Sequence, residues 1–142
     1  MSSPTLRAAA DLGLPSSGPG RLAGWAPRLG ALVVDWTLSY VAAWAVLGRG
    51  GGLRGAATLL PLALFTLGCW AGTALLAGTL GQLLAGVRVV RADPRERGRL
   101  VDPLHAALRA VLLALVVPAV ITDADRRGLH DRAAGTVVVS RR

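Results

Sequence analysis

The 142-residue sequence is poor in several residue types that carry protein chemistry: it has one cysteine, one glutamate and no lysine. The lone Cys69 excludes an intrachain disulfide and a set of thiolate metal ligands. The sequence also contains no nucleophile paired with a base, no glycine-rich phosphate loop and no pair of catalytic carboxylates. We therefore expect neither an enzyme nor a bound cofactor.

Apolar residues are abundant instead, at 53% of the chain with a mean hydropathy of +0.52, which is too apolar for an ordinary soluble domain. The net charge of +8 comes from sixteen arginines against eight acidic residues. Because these arginines flank apolar segments, they favour contact with anionic lipid headgroups over binding of nucleic acid. The composition predicts an integral membrane protein of the all-α class.

The first apolar segment predicts a transmembrane helix over about residues 28–47, in which Asp35 is the only charge after Arg28. Its apolar run, the nineteen residues 29–47, reaches about 28 Å as a helix, close to the thickness of the hydrocarbon layer. Placing a carboxylate there costs about 2.5–3.5 kcal/mol of insertion free energy. We therefore expect Asp35 to have a functional role and a partner that offsets this cost. We expect that partner to be an arginine or a polar group, with Ser39 one turn away as a candidate.

Two further segments predict helices over about 56–80 and 104–121. Within the second helix, Gly68 and Gly72 have the GxxxG spacing that lets another helix approach closely. The third segment contains Arg109 and Pro118, and is either a short span or a re-entrant helix. A re-entrant segment leaves fourteen arginines in the cytoplasm with both termini, which the positive-inside rule favours. Pairing of Arg109 with Asp35 would instead make a short span tolerable.

Outside these helices, residues 1–20 predict a disordered cytoplasmic tail before a membrane domain over 21–142. Two valine-rich stretches, 86–90 and 135–139, predict a small cytoplasmic β-ribbon. Between the last helix and the second stretch, charges concentrate at Arg127, His130 and Asp131. We weigh a proton role for His130 against salt bridges at headgroup level, and the spacing supports no metal site.

Three stretches together, RLGALVVDW from Arg28, GTLGQLLAGVRVVRAD from Gly78 and DRRGLHDRAAGTVVV from Asp125, resemble the RDD family of bacterial membrane proteins. The resemblance implies that Arg28, Asp35 and Asp131 are the arginine and the two aspartates that name the family. Gln82 stands where many members carry a lysine. The family resemblance implies a membrane protein whose activity is largely undefined, with transport suggested for some members.

The leading hypothesis is a small multi-pass plasma-membrane protein, self-associating, that moves or senses a small ion or proton. Asp35 is the protonatable group, and Arg28, Arg109, Arg127, His130 and Asp131 are the polar positions around it. The alternative is an assembly or regulatory subunit without transport, in which the same residues dock a larger membrane complex.

Overall fold

The computed structural model describes residues 4–51, 54–115 and 129–142, which are mostly helical. The regular elements in these ranges, in chain order, are α1 (Pro4–Asp11), α2 (Trp25–Gly51), α3 (Leu60–Leu76), α4 (Leu80–Leu84), β1 (Val87–Arg91), α5 (Pro103–Ala114), α6 (Leu129–Ala133) and β2 (Thr136–Ser140). Single 3₁₀ turns precede α3 (Gly55–Leu59) and follow β1 (Pro94–Glu96).

Two helical segments, Trp25–Gly48 and Gly55–Leu76, are long and apolar enough to cross a membrane. Only 17% and 28% of their most apolar stretches are buried against the rest of the protein. Large apolar side chains such as Val33, Val46 and Leu75 are therefore exposed. The first segment ends at Gly48, whose positive φ of 69° a glycine adopts without steric cost. These two helices agree with the first two predicted spans, apart from their ends.

The second helix ends earlier than the predicted residue 80, because the chain reverses after Leu76. Ala77 adopts a left-handed conformation with φ 58°, and α4 starts three residues later. A Cβ at Gly72 would lie 2.8 Å from the Gly78 carbonyl oxygen, so the reversal requires glycine at position 72. Gly72 thus accommodates a close approach of its own chain, whereas a Cβ at Gly68 would meet open space.

The helix α5, which matches the third predicted helix, has twelve residues and begins at Pro103. Its N-cap is Asp102, whose side chain accepts the His105 backbone N–H at 3.1 Å. It packs along α3, where Phe65, Cys69, Ala110 and Leu113 form an apolar cluster. Phe65 in turn stacks on Trp36 of α2, with ring centroids 4.4 Å apart. The predicted continuation of this helix from residue 116 to residue 121 lies outside the described residues. Whether the segment is a short span or re-entrant therefore stays a prediction.

The predicted β-ribbon is confirmed with a shift of one residue: β1 and β2 pair antiparallel, with Arg88 opposite Val139. One face of the sheet packs with Val101 and Ala106 near the start of α5, through Val87, Val89 and Val138. The sheet therefore lies at the end of the helices where α3 finishes and α5 begins.

The other face of the sheet is covered by α1, where a disordered tail was expected. Ala8 of α1 packs with Leu22, Val90, Val137 and Val139 in one apolar cluster. Arg97 fastens the segment after α1 by donating to the carbonyl oxygens of Leu12 and Gly13. The prediction of a disordered tail rested on its low hydrophobicity, which does not reveal the burial that a small side chain such as Ala8 finds against the sheet.

Candidate functional site

Asp35 of α2 is bonded to the chain reversal between α3 and β1. Its Oδ1 accepts the backbone N–H of Gly81 at 2.8 Å, and its Oδ2 accepts the hydroxyl of Thr79. Thr79 is also the N-cap of α4, and Gln82 completes a reciprocal capping box with it. The carboxylate therefore links the first candidate span to the start of α4.

The contact between α2 and α4 is unusually close. A Cβ placed on Gly81 would lie 2.2 Å from the carbonyl oxygen of Ala31, far inside the van der Waals limit. Only glycine permits this approach, which brings the Gly81 N–H within reach of Asp35 one turn further along α2.

Asp131 of α6 is the centre of a second polar cluster. Its Oδ1 accepts a hydrogen bond from the Nε–H of Arg109 at 2.8 Å, and both side chains are 1% exposed. Arg28 of α2 and His130 approach its Oδ2, with nitrogen–oxygen distances of 4.0 and 3.5 Å. One carboxylate thus joins α2, α5 and α6.

Neutral groups surround this ion pair and satisfy part of its hydrogen-bonding capacity. Arg109 also donates from Nη1 to the Thr73 hydroxyl of α3 at 3.4 Å, and the Thr136 hydroxyl donates to the Asp131 carboxylate at 3.3 Å. The second amino group of Arg28 donates to the Val138 carbonyl of β2 at 3.4 Å. Such partners are needed because an ion pair loses its hydration when it is buried.

The charges around Asp131 keep its carboxyl ionised. Burial raises the pKa of this group, but the neighbouring positive charges outweigh burial and lower the pKa from 3.8 to about 2. The largest favourable contribution comes from Arg109, followed by His130 in its protonated form and then Arg28. Asp131 is therefore an anion at physiological pH.

The two clusters line one cavity of about 60 Å³ between α2, α4, α5 and α6. A cavity of this size holds a few water molecules or one small ion. Its polar lining consists of Arg28, Asp35, Gln82, Arg109, His130 and Asp131. The charges of the two arginines and the two aspartates cancel, so a proton added to His130 or to Asp35 would give the cavity a net positive charge.

Five of the six polar positions named from the sequence meet at this cavity, and the sixth, Arg127, lies outside the described residues. Arg109 pairs with Asp131 and not with Asp35, the alternative that would have made a short third span tolerable. Ser39 also differs from expectation, because its hydroxyl donates to the backbone carbonyl of Asp35 at 2.8 Å and not to the carboxylate. An i, i+4 hydroxyl in a helix reaches the preceding turn more readily than a neighbouring side chain.

Sequence reasoning missed the residues that bind Asp35, namely Thr79 and Gly81. A signal was present, since Thr79 and Gln82 have the T-x-x-Q spacing of a capping box, which marks the start of a helix. In the part of the chain that the structure describes, no group of three or more His, Cys, Asp or Glu side chains could hold a metal ion.

Of three comparisons with known proteins, one finds a match. Searches among curated proteins and among solved structures found no match to the chain. The family model of the RDD family matches residues 22–135, which include both candidate spans, the two polar clusters and most of the chain. The protein therefore belongs to the RDD family.

Proposed function

We propose that the protein is a multi-pass plasma-membrane protein that binds a small ion or proton in the cavity between Asp35 and Asp131. The observation that carries this proposal is the meeting of two carboxylates, two guanidiniums and an imidazole around a cavity beside apolar helices. Charged groups in such surroundings are costly and mark ion or proton sites in other membrane proteins. The proposal has no enzymatic, cofactor or nucleic-acid component.

The exposed apolar surfaces of α2 and α3 support a place in the bilayer. At about 1.5 Å per residue, the segments Trp25–Gly48 and Gly55–Leu76 extend about 36 and 33 Å, enough to cross it. Only Arg49 and Arg54 lie in the connection between them, whereas arginines are dense around the sheet. The positive-inside rule then places the sheet and both termini in the cytoplasm, next to anionic headgroups.

Asp35 is the group whose protonation would change the geometry of the site. As a carboxylate it accepts hydrogen bonds on both oxygens, from Thr79 and Gly81. A proton on Oδ2 would require the Thr79 hydroxyl to stop donating and to accept instead. Protonation would thus reverse the hydrogen bond that links α2 to the start of α4, and it would raise the net charge of the cavity by one. The two spans in the described residues cannot enclose a pathway by themselves, so we propose that transport would use several copies of the chain.

The test is an ion and proton flux assay on the full chain reconstituted in vesicles. Asp35→Asn should abolish flux, because the amide cannot ionise and cannot accept on both sides. Asp11→Asn, at an exposed position in α1, is the matched control and should retain flux. If the Asp35→Asn variant moves ions or protons at the wild-type rate, the proposal is wrong.

A second candidate function, an assembly or regulatory subunit without transport, is favoured by the complete internal bonding of the Asp35 carboxylate. In that case Asp35 stabilises the fold of a surface that docks a larger membrane complex. The amount of folded protein separates the two functions. Loss of accumulation of Asp35→Asn would favour the subunit, whereas a stable variant without flux favours ion handling.

A further inference from the structure

Three arginines without a carboxylate partner lie at the end of the sheet: Arg88 on β1, and Arg141 and Arg142 directly after β2. All three are exposed, and among the described residues none of them forms a salt bridge. Arg91, at the end of the same strand, differs in this respect because it pairs with both Glu96 and Asp102. The unpaired arginines therefore form a local concentration of positive charge.

The backbone places Arg88 and Arg141 on the same face of the sheet. Arg88 lies opposite Val139, and the ladder continues beyond β2 because the Arg141 N–H donates to the Gly86 carbonyl at 2.8 Å. Side chains alternate along a strand, so Arg141 points to the same face as Val139, two residues before it. Cross-strand residues in this diagonal relation are separated by about 7–8 Å, which long guanidinium side chains easily bridge.

A polar cavity of about 330 Å³ lies at this position, lined by Pro19, Gly20, Arg88, Ser140 and Arg141. The part of the lining formed by Gly20 is held to β2, because the Gly20 N–H donates to the Ser140 carbonyl at 2.8 Å. Arg142 adds a third guanidinium nearby, with its Nε 3.6 Å from the position of a Cβ on Gly86. The cavity is distinct from the one between Asp35 and Asp131 and shares no lining residue with it.

We propose that this cavity, here called the arginine pocket, binds a phosphate group through Arg88 and Arg141. Guanidinium groups bind phosphate through two parallel hydrogen bonds, and a phosphate monoester carries about −1.5 to −2 charges at neutral pH. Binding would offset the mutual repulsion of the unpaired arginines. The phosphate group belongs either to a soluble molecule or to a lipid headgroup.

The pocket lies on the sheet face that carries α1, because Arg88 alternates with Val87 and Val89, which face the helices. This placement favours a soluble phosphate compound, since the opposite face is the one packed toward the candidate spans. The site is independent of ion movement through the protein, and its occupancy is measured at equilibrium without a flux assay.

The experiment measures binding to the full chain held in uncharged phosphatidylcholine nanodiscs, by calorimetry with inorganic phosphate and pyrophosphate. A parallel arm measures cosedimentation with vesicles that contain phosphatidic acid, whose headgroup is a phosphate monoester. The test variant is Arg88→Gln with Arg141→Gln. The matched control is Arg95→Gln with Arg99→Gln, which removes the same charge from exposed positions outside the pocket.

We expect the test variant to lose at least tenfold in affinity and the control to lose less than threefold. Loss in the calorimetric arm assigns a soluble phosphate, and loss confined to the vesicle arm assigns a lipid headgroup. Equal losses in the two variants would mean diffuse charge attraction and would overturn the proposal. Absence of saturable binding by the wild-type chain in both arms would overturn it as well.

Discussion

Replacement of Arg109 by methionine tests whether the buried ion pair stabilises the structure. Unit charges about 4 Å apart attract by about 4 kcal/mol at an effective dielectric constant of about 20. Arg109→Met removes this attraction and leaves the Asp131 carboxylate buried, with Arg28 4.0 Å away. Breaking one side of a buried pair typically costs about 3–5 kcal/mol, so we expect a loss of that size in the free energy of unfolding.

The measurement is denaturant unfolding of the full chain in detergent micelles, followed by tryptophan fluorescence. Arg91→Met is the matched control, because Arg91 pairs with the more exposed Glu96 and Asp102 and such surface pairs contribute about 0–1 kcal/mol. If Arg109→Met costs no more than Arg91→Met, the argument from burial fails. The double variant Arg109→Met with Asp131→Leu should cost clearly less than the sum of its single variants, whereas strict additivity would refute their coupling.

Three other predictions concern the contacts of the same region. Gly81→Ala should destabilise the protein by about 1–3 kcal/mol, because the added Cβ meets the Ala31 carbonyl. Gly68→Ala, at an open helical position, should not destabilise it. Thermal unfolding of the two variants measures the difference. Thr79→Ala should cost about 0.5–2 kcal/mol by loss of the cap, and Thr79→Ser should restore most of it in the same assay. The lowered pKa of Asp131 contributes stability that is complete above about pH 3.8 and is lost as the pH falls toward about 2; Asp131→Asn should lack this pH dependence in acid unfolding curves, and an unchanged curve would contradict the assignment.

The elements that local sequence patterns specify were predicted well. The two apolar spans and the valine-rich strands carry their signal in composition and spacing alone, and β1 and β2 were located to within one residue. Arg28 and Asp131, both named from the sequence as polar positions around Asp35, lie 4.0 Å apart in the structure.

The partners of Asp35 could not be predicted in the same way. Thr79 and Gly81 are 44 and 46 residues away along the chain, at the end of an apolar stretch that predicts an unbroken helix over about 56–80. The reversal depends on Ala77 in a left-handed conformation, which alanine seldom adopts and no composition reveals. The same limit applies to α1, whose burial depends on the sheet surface opposite it.

The connection of Arg28 to β2 has a consequence for the order of folding during synthesis. The Val138 carbonyl, which accepts a hydrogen bond from Arg28, lies 110 residues later in the chain. Asp131 also leaves the ribosome long after α2. Until then Arg28 and Arg109 have no counter-charge from Asp131, and closing so long a loop has a large entropy cost. We therefore expect the helices to associate first and the contacts of Asp131 with Arg28 and Arg109 to form as a late step. Truncation of the chain before α6, or slow translation, would let the earlier state accumulate.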